Sequence, residues 1–203
     1  MQNIHILFIT FPVLLIVITV HEYAHGLAAY IMGDPTAKYL GRLTLNPVKH
    51  IDPLGILMLI LFRFGWAKPV PVNPRNFQNP LKGMALVAIA GPATNFFFAW
   101  LLVLFGIKIF PSYIYAYPII KLLWNYAIFI NIALAIFNLI PINPLDGSRI
   151  LAGLLPYKYA MEMNKIERYG MFIMIALIYF TPIVDYLVLA TEFVQKFLFS
   201  LYI

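Results

Sequence analysis

The 203-residue sequence has no cysteine, four histidines and eight acidic residues, and only 11% of it is charged. Without cysteine there is neither a disulfide nor a thiolate metal site, so imidazole and carboxylate are the side chains left to hold a metal ion. The redox compartment is not fixed by that absence. The shortage of charge, against about 25% in an average soluble chain, excludes an ordinary soluble domain. What fills the space is apolar: 63% of the residues are hydrophobic, and mean hydropathy is +0.86. Long uncharged runs then define an integral membrane protein.

The net charge of +6 could point to nucleic acid in a soluble chain. Here most of the Lys and Arg lie between apolar runs, where they set orientation on an anionic leaflet, and no aromatic-basic stripe accompanies them. The expected partner is the lipid bilayer, with no nucleic acid. The first apolar run lacks a basic lead-in and passes directly into a histidine pair, so it is read as a retained span, not a cleaved signal.

In chain order, one span is expected over 5–32, ended by Gly33-Asp34-Pro35 and kinked at Pro12. Residues 37–45 alternate in part and predict a short strand. The apolar stretch 54–62 is too short to cross, since about 20 helical residues are needed. The proline-rich stretch 66–74 predicts extended chain. Residues 36–82 are therefore expected to form a re-entrant or interfacial excursion with a small hairpin, leaving and returning on one side. Further spans follow over 84–110, 119–140 and 169–180, with the path of 183–203 open. The expected fold is an all-α polytopic membrane protein of about 4–6 transmembrane helices carrying a small re-entrant or β-hairpin segment. It would form one membrane-embedded domain over 1–203, with 156–203 as C-terminal helices. This topology puts Lys38, Arg42, Lys49, Lys68, Arg75, Lys82, Arg149, Lys158, Lys165 and Arg168 on one side, leaving Lys108 and Lys121 opposite. The basic side is expected to be cytoplasmic and the N-terminus outside.

The chemistry starts at His21-Glu22-Tyr23-Ala24-His25, flanked by uncharged residues. Four positions apart on a helix, His21 and His25 share a face and can reach one ion, while Glu22 on the adjacent flank can touch a water on it. This His-Glu-x-x-His pattern belongs to zinc peptidases, with the glutamate as general base. Ionisable groups inside a membrane span are costly and mark function by default. A catalytic zinc takes three protein ligands. His5 lies too far back on the same helix, and Asp34, Asp52 and Glu162 fall in interfacial loops. Asp146, at the break after the span over 119–140, is expected at the same depth as His21. Its alternative role is to cap the helix beginning at Gly147. His50 is expected at the interface with Asp52 as partner, or else behind the zinc.

The chain resembles the site-2 proteases, intramembrane zinc metallopeptidases. The resemblance rests on His21-Glu22-x-x-His25, Gly91-Pro92-x-x-Asn95 and Asn143-Pro144-Leu145-Asp146-Gly147, in that order. The stretches Gly41-Arg42-Leu43-Thr44-Leu45-Asn46-Pro47 and Trp66-Ala67-Lys68-Pro69-Val70-Pro71 are similar to a compact bacterial or archaeal branch. No PDZ or CBS module is recognisable, and the similarity covers roughly 1–156. The resemblance implies one Zn2+ per chain on His21, His25 and Asp146, with Glu22 as base. It implies Asn95 and Asn138 as groups that hold the substrate backbone or the oxyanion. It also implies single-span membrane proteins as substrates, in a prokaryotic cell membrane with the active site nearer the cytoplasmic face. The competing readings are a membrane metal carrier and a catalytically silent scaffold of the same fold.

Overall fold

The computed structural model describes residues 2–62 and 65–202, and among them the regular structure is entirely helical. Helix α1 (Gln2–Ile31) carries Pro12 within it and has no charged side chain before Glu22. At a rise of 1.5 Å per residue it is about 45 Å long, longer than the ~30 Å hydrocarbon layer. A short α2 (Thr36–Tyr39) and an apolar α3 (Pro53–Phe62) come next. Helix α4 (Pro80–Leu104) starts with Pro80 in its first turn and Asn79 as N-cap, whose side chain accepts the Lys82 N–H at 3.1 Å. It runs on through a turn of π-helix, Phe105–Ile109. Then come α5 (Pro111–Ala116), α6 (Pro118–Asn138), α7 (Asp146–Leu154), α8 (Tyr157–Ile166), α9 (Gly170–Phe180) and α10 (Ile183–Ser200).

Helix α4 is the axis of the bundle. It packs against α1, α6 and α7, while α10 lies on α6. The reason is a row of small side chains on α4. Gly83, Ala85, Ala88, Gly91 and Ala99 are buried, and without bulk there the neighbouring backbones can approach closely, which is how helices associate in lipid. Every fourth residue along one stripe is buried: Val87, Gly91, Asn95, Ala99 and Val103. At one end of that stripe Val87 joins Ala29 and Phe77 in a small apolar cluster. At the other, Ala99 and Val103 join Ile114, Trp124, Ile128 and Ile132. The Trp124 indole N–H donates to the Leu102 carbonyl at 2.8 Å, and Phe199 of α10 meets the Trp124 ring edge-on at 5.5 Å. Between the two apolar clusters lie Gly91 and Asn95.

Among the described residues, three helices are long and apolar enough to cross a membrane: Ile9–Ile31, Pro80–Ile109 and Pro118–Asn138. A fourth span results if Tyr157–Phe180 and Ile183–Ser200, bent by 82°, count as one. The chain is thus a multi-pass membrane protein with three or four such spans, at or just below the low end of the expected range. In α3, Leu54, Leu57, Ile60 and Leu61 are exposed, as suits an apolar helix too short to cross.

The strand expected over 37–45 is not there. Residues 36–39 make a helical turn, and Gly41 leaves it at φ +63°, a conformation that favours glycine and breaks the extended run. Partial alternation was the only local signal, and no second strand is present among the described residues to pair with it. The expected His50–Asp52 pairing is also absent. The buried His50 ring donates from Nε2 to the Thr44 carbonyl at 2.9 Å. Asp52 accepts the Leu54 N–H at 2.9 Å and the Trp66 indole N–H at 3.2 Å, capping α3 and tying it to the next segment.

Asp34, read from sequence as an interfacial loop residue, is fully buried. Its Oδ1 accepts from the Thr36 N–H, the Thr36 hydroxyl and Asn76 Nδ2, and its Oδ2 accepts the Asn73 N–H at 2.7 Å. Burial pushes this carboxyl up, but the hydrogen bonds from Thr36, Asn73 and Asn76 outweigh it and hold it below the ordinary carboxylate range. A lowered folded value means this contribution to stability is complete above about pH 4 and fades as pH falls through that lowered value.

Candidate metal centre

Helix periodicity brings His21 and His25 together, one turn apart on the face of α1 that meets α4. Their rings meet edge-on with centroids 4.6 Å apart and Nε2 atoms at 3.0 Å. Both are buried, and the cause is Gly91. A Cβ built there would lie 2.5 Å from His25 Nε2 and 2.6 Å from His21 Nε2 and Cε1, so only glycine lets α4 close over the two imidazoles. Gly91→Ala is therefore expected to force the rings or the helix apart and weaken zinc binding by about tenfold to a hundredfold, the range seen when groups around metal ligands are disturbed. Competition of the purified variant against a fluorescent zinc chelator measures this, and unchanged affinity would refute it.

The third group arrives from α7. The chain breaks after α6 at Leu139, and Pro141 and Pro144 keep residues 140–145 out of regular helix. Asp146 is the first residue of α7 and Leu145 takes the N-cap position, so Asp146 is not the cap of a helix beginning at Gly147. Its Oδ2 instead stands 3.2 Å from Nε2 of both His21 and His25. Three ligand atoms thus form a triangle with sides of 3.0, 3.2 and 3.2 Å. For zinc–ligand bonds of about 2.05 Å, a tetrahedron has edges of about 3.3 Å. The triangle is within a few tenths of an ångström of one face of that tetrahedron.

The hydrogen bonding points the same way. His25 donates from Nδ1 to the Val87 carbonyl at 2.8 Å, which orients the ring and directs the Nε2 lone pair at the cluster. Two imidazole nitrogens and a carboxylate oxygen facing one another in a buried space hold excess negative potential, which a divalent cation relieves. Among the described residues this is the one cluster of its kind. A carrier route would need a second site or a polar path across the bilayer.

Glu22 lies beside the pair, half-buried, and its Oε2 accepts the Val70 N–H at 2.8 Å. Its Oε1 takes no part in that bond. Asn95, one turn beyond Gly91 on α4, is fully buried, and neither its amide nitrogen nor its oxygen has a hydrogen-bond partner among the described residues. A buried, unpaired amide is uncommon and needs a water or ligand to satisfy it. Asn138 differs: it is half-buried, and its Nδ2 donates to the Leu134 carbonyl of its own helix at 3.0 Å. Asn125 and Asn131 make the same bond one turn back, to Lys121 and Ala127. The structure therefore gathers His21, His25 and Asp146, sets Glu22 and Asn95 on flanking turns, and ties Asn138 to its own backbone. Sequence reasoning missed the Val70 contact to Glu22. The proline spacing around Val70 announced extended chain but not what the chain would touch.

Fold and cluster define the class: a polytopic membrane protein with a buried two-histidine, one-carboxylate constellation of metallohydrolase type. Residues 107–181 match the sequence profile of Peptidase family M50. Over 180 residues the chain is 41% identical to YwhC of Bacillus subtilis (strain 168), covering 85% of this chain and 80% of that one. It is 28% identical over 165 residues to Rip2 of Mycolicibacterium smegmatis, covering 78% and 61% of the two chains. With Rip2 of Mycobacterium tuberculosis (strain H37Rv) it shares 30% over 140 residues, 66% of this chain and 52% of that one. All three relatives are named, provisionally, as zinc metalloproteases. No solved structure matches. The chain belongs to peptidase family M50, the site-2 protease family, and is a zinc metalloprotease.

Proposed function

We propose that this chain hydrolyses peptide bonds within the transmembrane segments of single-span membrane proteins, using one zinc ion held by His21, His25 and Asp146. The observation that carries the reading is the 3.0–3.2 Å triangle of ligand atoms buried in a bundle of membrane-length helices. When bound, zinc would supply a Lewis acid that lowers the pKa of a water on it towards neutrality. Glu22 is the general base, taking the proton from the attacking water through Oε1 and returning it to the leaving amine. Asn95, whose amide has no partner among the described residues, donates a hydrogen bond to the oxyanion that forms on the substrate carbonyl. Asn138 is a weaker second donor, since turning to substrate requires it to leave Leu134.

A helical substrate shields its own peptide bonds and has to unwind first. The extended segment 66–73 offers it a backbone edge, although Pro69 and Pro71 donate no N–H and so limit the pairing to a few groups. The orientation that suits the basic loops places this segment on the cytoplasmic side. The test is cleavage of a panel of single-span peptides by the purified protein in vesicles, with and without chelator. Cleavage within the apolar segment that stops on chelation is expected. Cleavage confined to extramembrane tails, or indifferent to chelator, would overturn the reading.

A further inference from the structure

We propose that Asp34 and Arg42 are positioning residues for the hydrolysis: they clamp the extended segment 66–73 on either side of Val70, so that the Val70 N–H holds the carboxylate of Glu22. This rests on Glu22 being the base. The segment has no regular secondary structure of its own, so its place depends on what pins it. On one side of Val70, Arg42 Nη2 donates to the Lys68 carbonyl at 2.9 Å and the Pro69 carbonyl at 3.2 Å, and the Lys68 N–H donates to the His50 carbonyl at 2.9 Å. On the other side, Asp34 accepts the Asn73 N–H at 2.7 Å and Asn76 Nδ2 at 2.6 Å. Val70 itself is buried against α1, its Cγ1 within 3.1 Å of where a Cβ on Gly26 would stand.

The geometry explains features that the catalytic cluster does not use. Asp34 is fully buried and among the described residues has no cationic partner. Its charge is met by N–H and O–H donors from Thr36, Asn73 and Asn76, which makes it a fastener between the end of α1 and a segment some forty positions away. Glu22 lies about two and a half turns before the end of α1 at Ile31, and Asp34 follows that end by three residues, so a strap fixed beside the helix end runs back along α1 towards Glu22. A long carboxylate side chain half-open to solvent samples several rotamers. One fixed backbone donor on Oε2 selects among them and leaves Oε1 for water, and misplacement of a catalytic group by about 1 Å can cost on the order of a hundredfold.

Asp34→Asn keeps the shape but puts an amide N–H2 where an oxygen accepted, so it cannot satisfy donors on both sides. Arg42→Lys keeps the charge but shortens the reach: one nitrogen, Nη2, meets both carbonyls, and the ammonium of the shorter side chain ends short of its position. For each variant the full chain is measured for zinc content and for kcat and KM on a single-span peptide. Because the chain lacks cysteine, Val70→Cys also gives a unique thiol whose alkylation reports on the segment. The expected result is full zinc content, KM within about twofold, kcat lower by roughly 10–100-fold, and thiol alkylation at least about tenfold faster. In a Glu22→Gln background, Asp34→Asn should lower the residual rate no further. Unchanged kcat in both variants, or a loss of zinc that accounts for the lost activity, overturns the clamp. So does an Asp34→Asn penalty that persists undiminished beside Glu22→Gln. If Glu22→Gln itself cleaves like the parent, the base assignment and this role fall together, a signature distinct from failure of the clamp alone.

Discussion

Replacing Glu22 with Gln is expected to lower kcat by about 10³-fold or more while leaving zinc bound at parental stoichiometry. The ligand triangle is made by His21, His25 and Asp146, so the substitution removes no ligand. The amide oxygen of Gln can still accept the Val70 N–H that Glu22 Oε2 accepts at 2.8 Å, so the segment 66–73 should stay in place. What is lost is a group able to take and return a proton. General acid–base groups contribute about 10²–10⁴-fold, and the same residue acts on both water and leaving amine, which puts the effect in the upper half of that range. A factor of 10³ corresponds to about 4 kcal/mol of transition-state stabilisation. Single-turnover cleavage of a membrane-spanning peptide, with metal content measured on the same sample, tests it. Cleavage within tenfold of the parent would remove Glu22 from the mechanism.

Asp146→Ala should act differently, abolishing cleavage together with metal binding. The carboxylate is the one ligand brought from outside α1, through the chain break after α6, and its Oδ2 is 3.2 Å from both imidazoles. Two histidines alone form an incomplete site, because structural and catalytic zinc sites hold three or more protein ligands. Zinc per chain is expected to fall well below one after gel filtration, and activity by at least about 10³-fold. The contrast between the two variants, one full of metal and one depleted, separates proton transfer from metal binding. An Asp146→Ala protein that keeps stoichiometric zinc would show that the ligand set is wrong.

How much of this was legible beforehand follows from which signals are local. His21 and His25 are four residues apart on one helix, so spacing alone placed them together. Asp146 was found by elimination and topology, because in a chain with eight acidic residues few carboxylates lie at the right depth. The spans over 80–109 and 118–138 were plain from their apolar length. Residues 36–76 were harder. A partial alternation predicted a strand that needs a partner, and none is present among the described residues, while Gly41 at φ +63° ends the run. Asp34 read as punctuation after α1 because Gly33 and Pro35 flank it. Its hydrogen-bond partners Asn73 and Asn76 lie in a different segment, and no periodicity connects them. A carboxylate placed directly after an uncharged span, followed later by an asparagine-rich turn, was the signal available. Asn95 was marked by the resemblance, but its complete burial without a partner emerges only when α4 is packed. Gly91 shows the same thing: the sequence gives a glycine in a helix, and only packing reveals two imidazoles where its side chain would be.

Zinc-edge X-ray absorption on the purified chain tests the central claim most directly. One zinc per chain, with two imidazole nitrogens and carboxylate or water oxygens at about 2.0–2.2 Å, is the predicted spectrum, with the bound-zinc signal itself largely lost in Asp146→Ala. A protein that purifies without metal and takes up none, or a spectrum unaltered by that substitution, would contradict it.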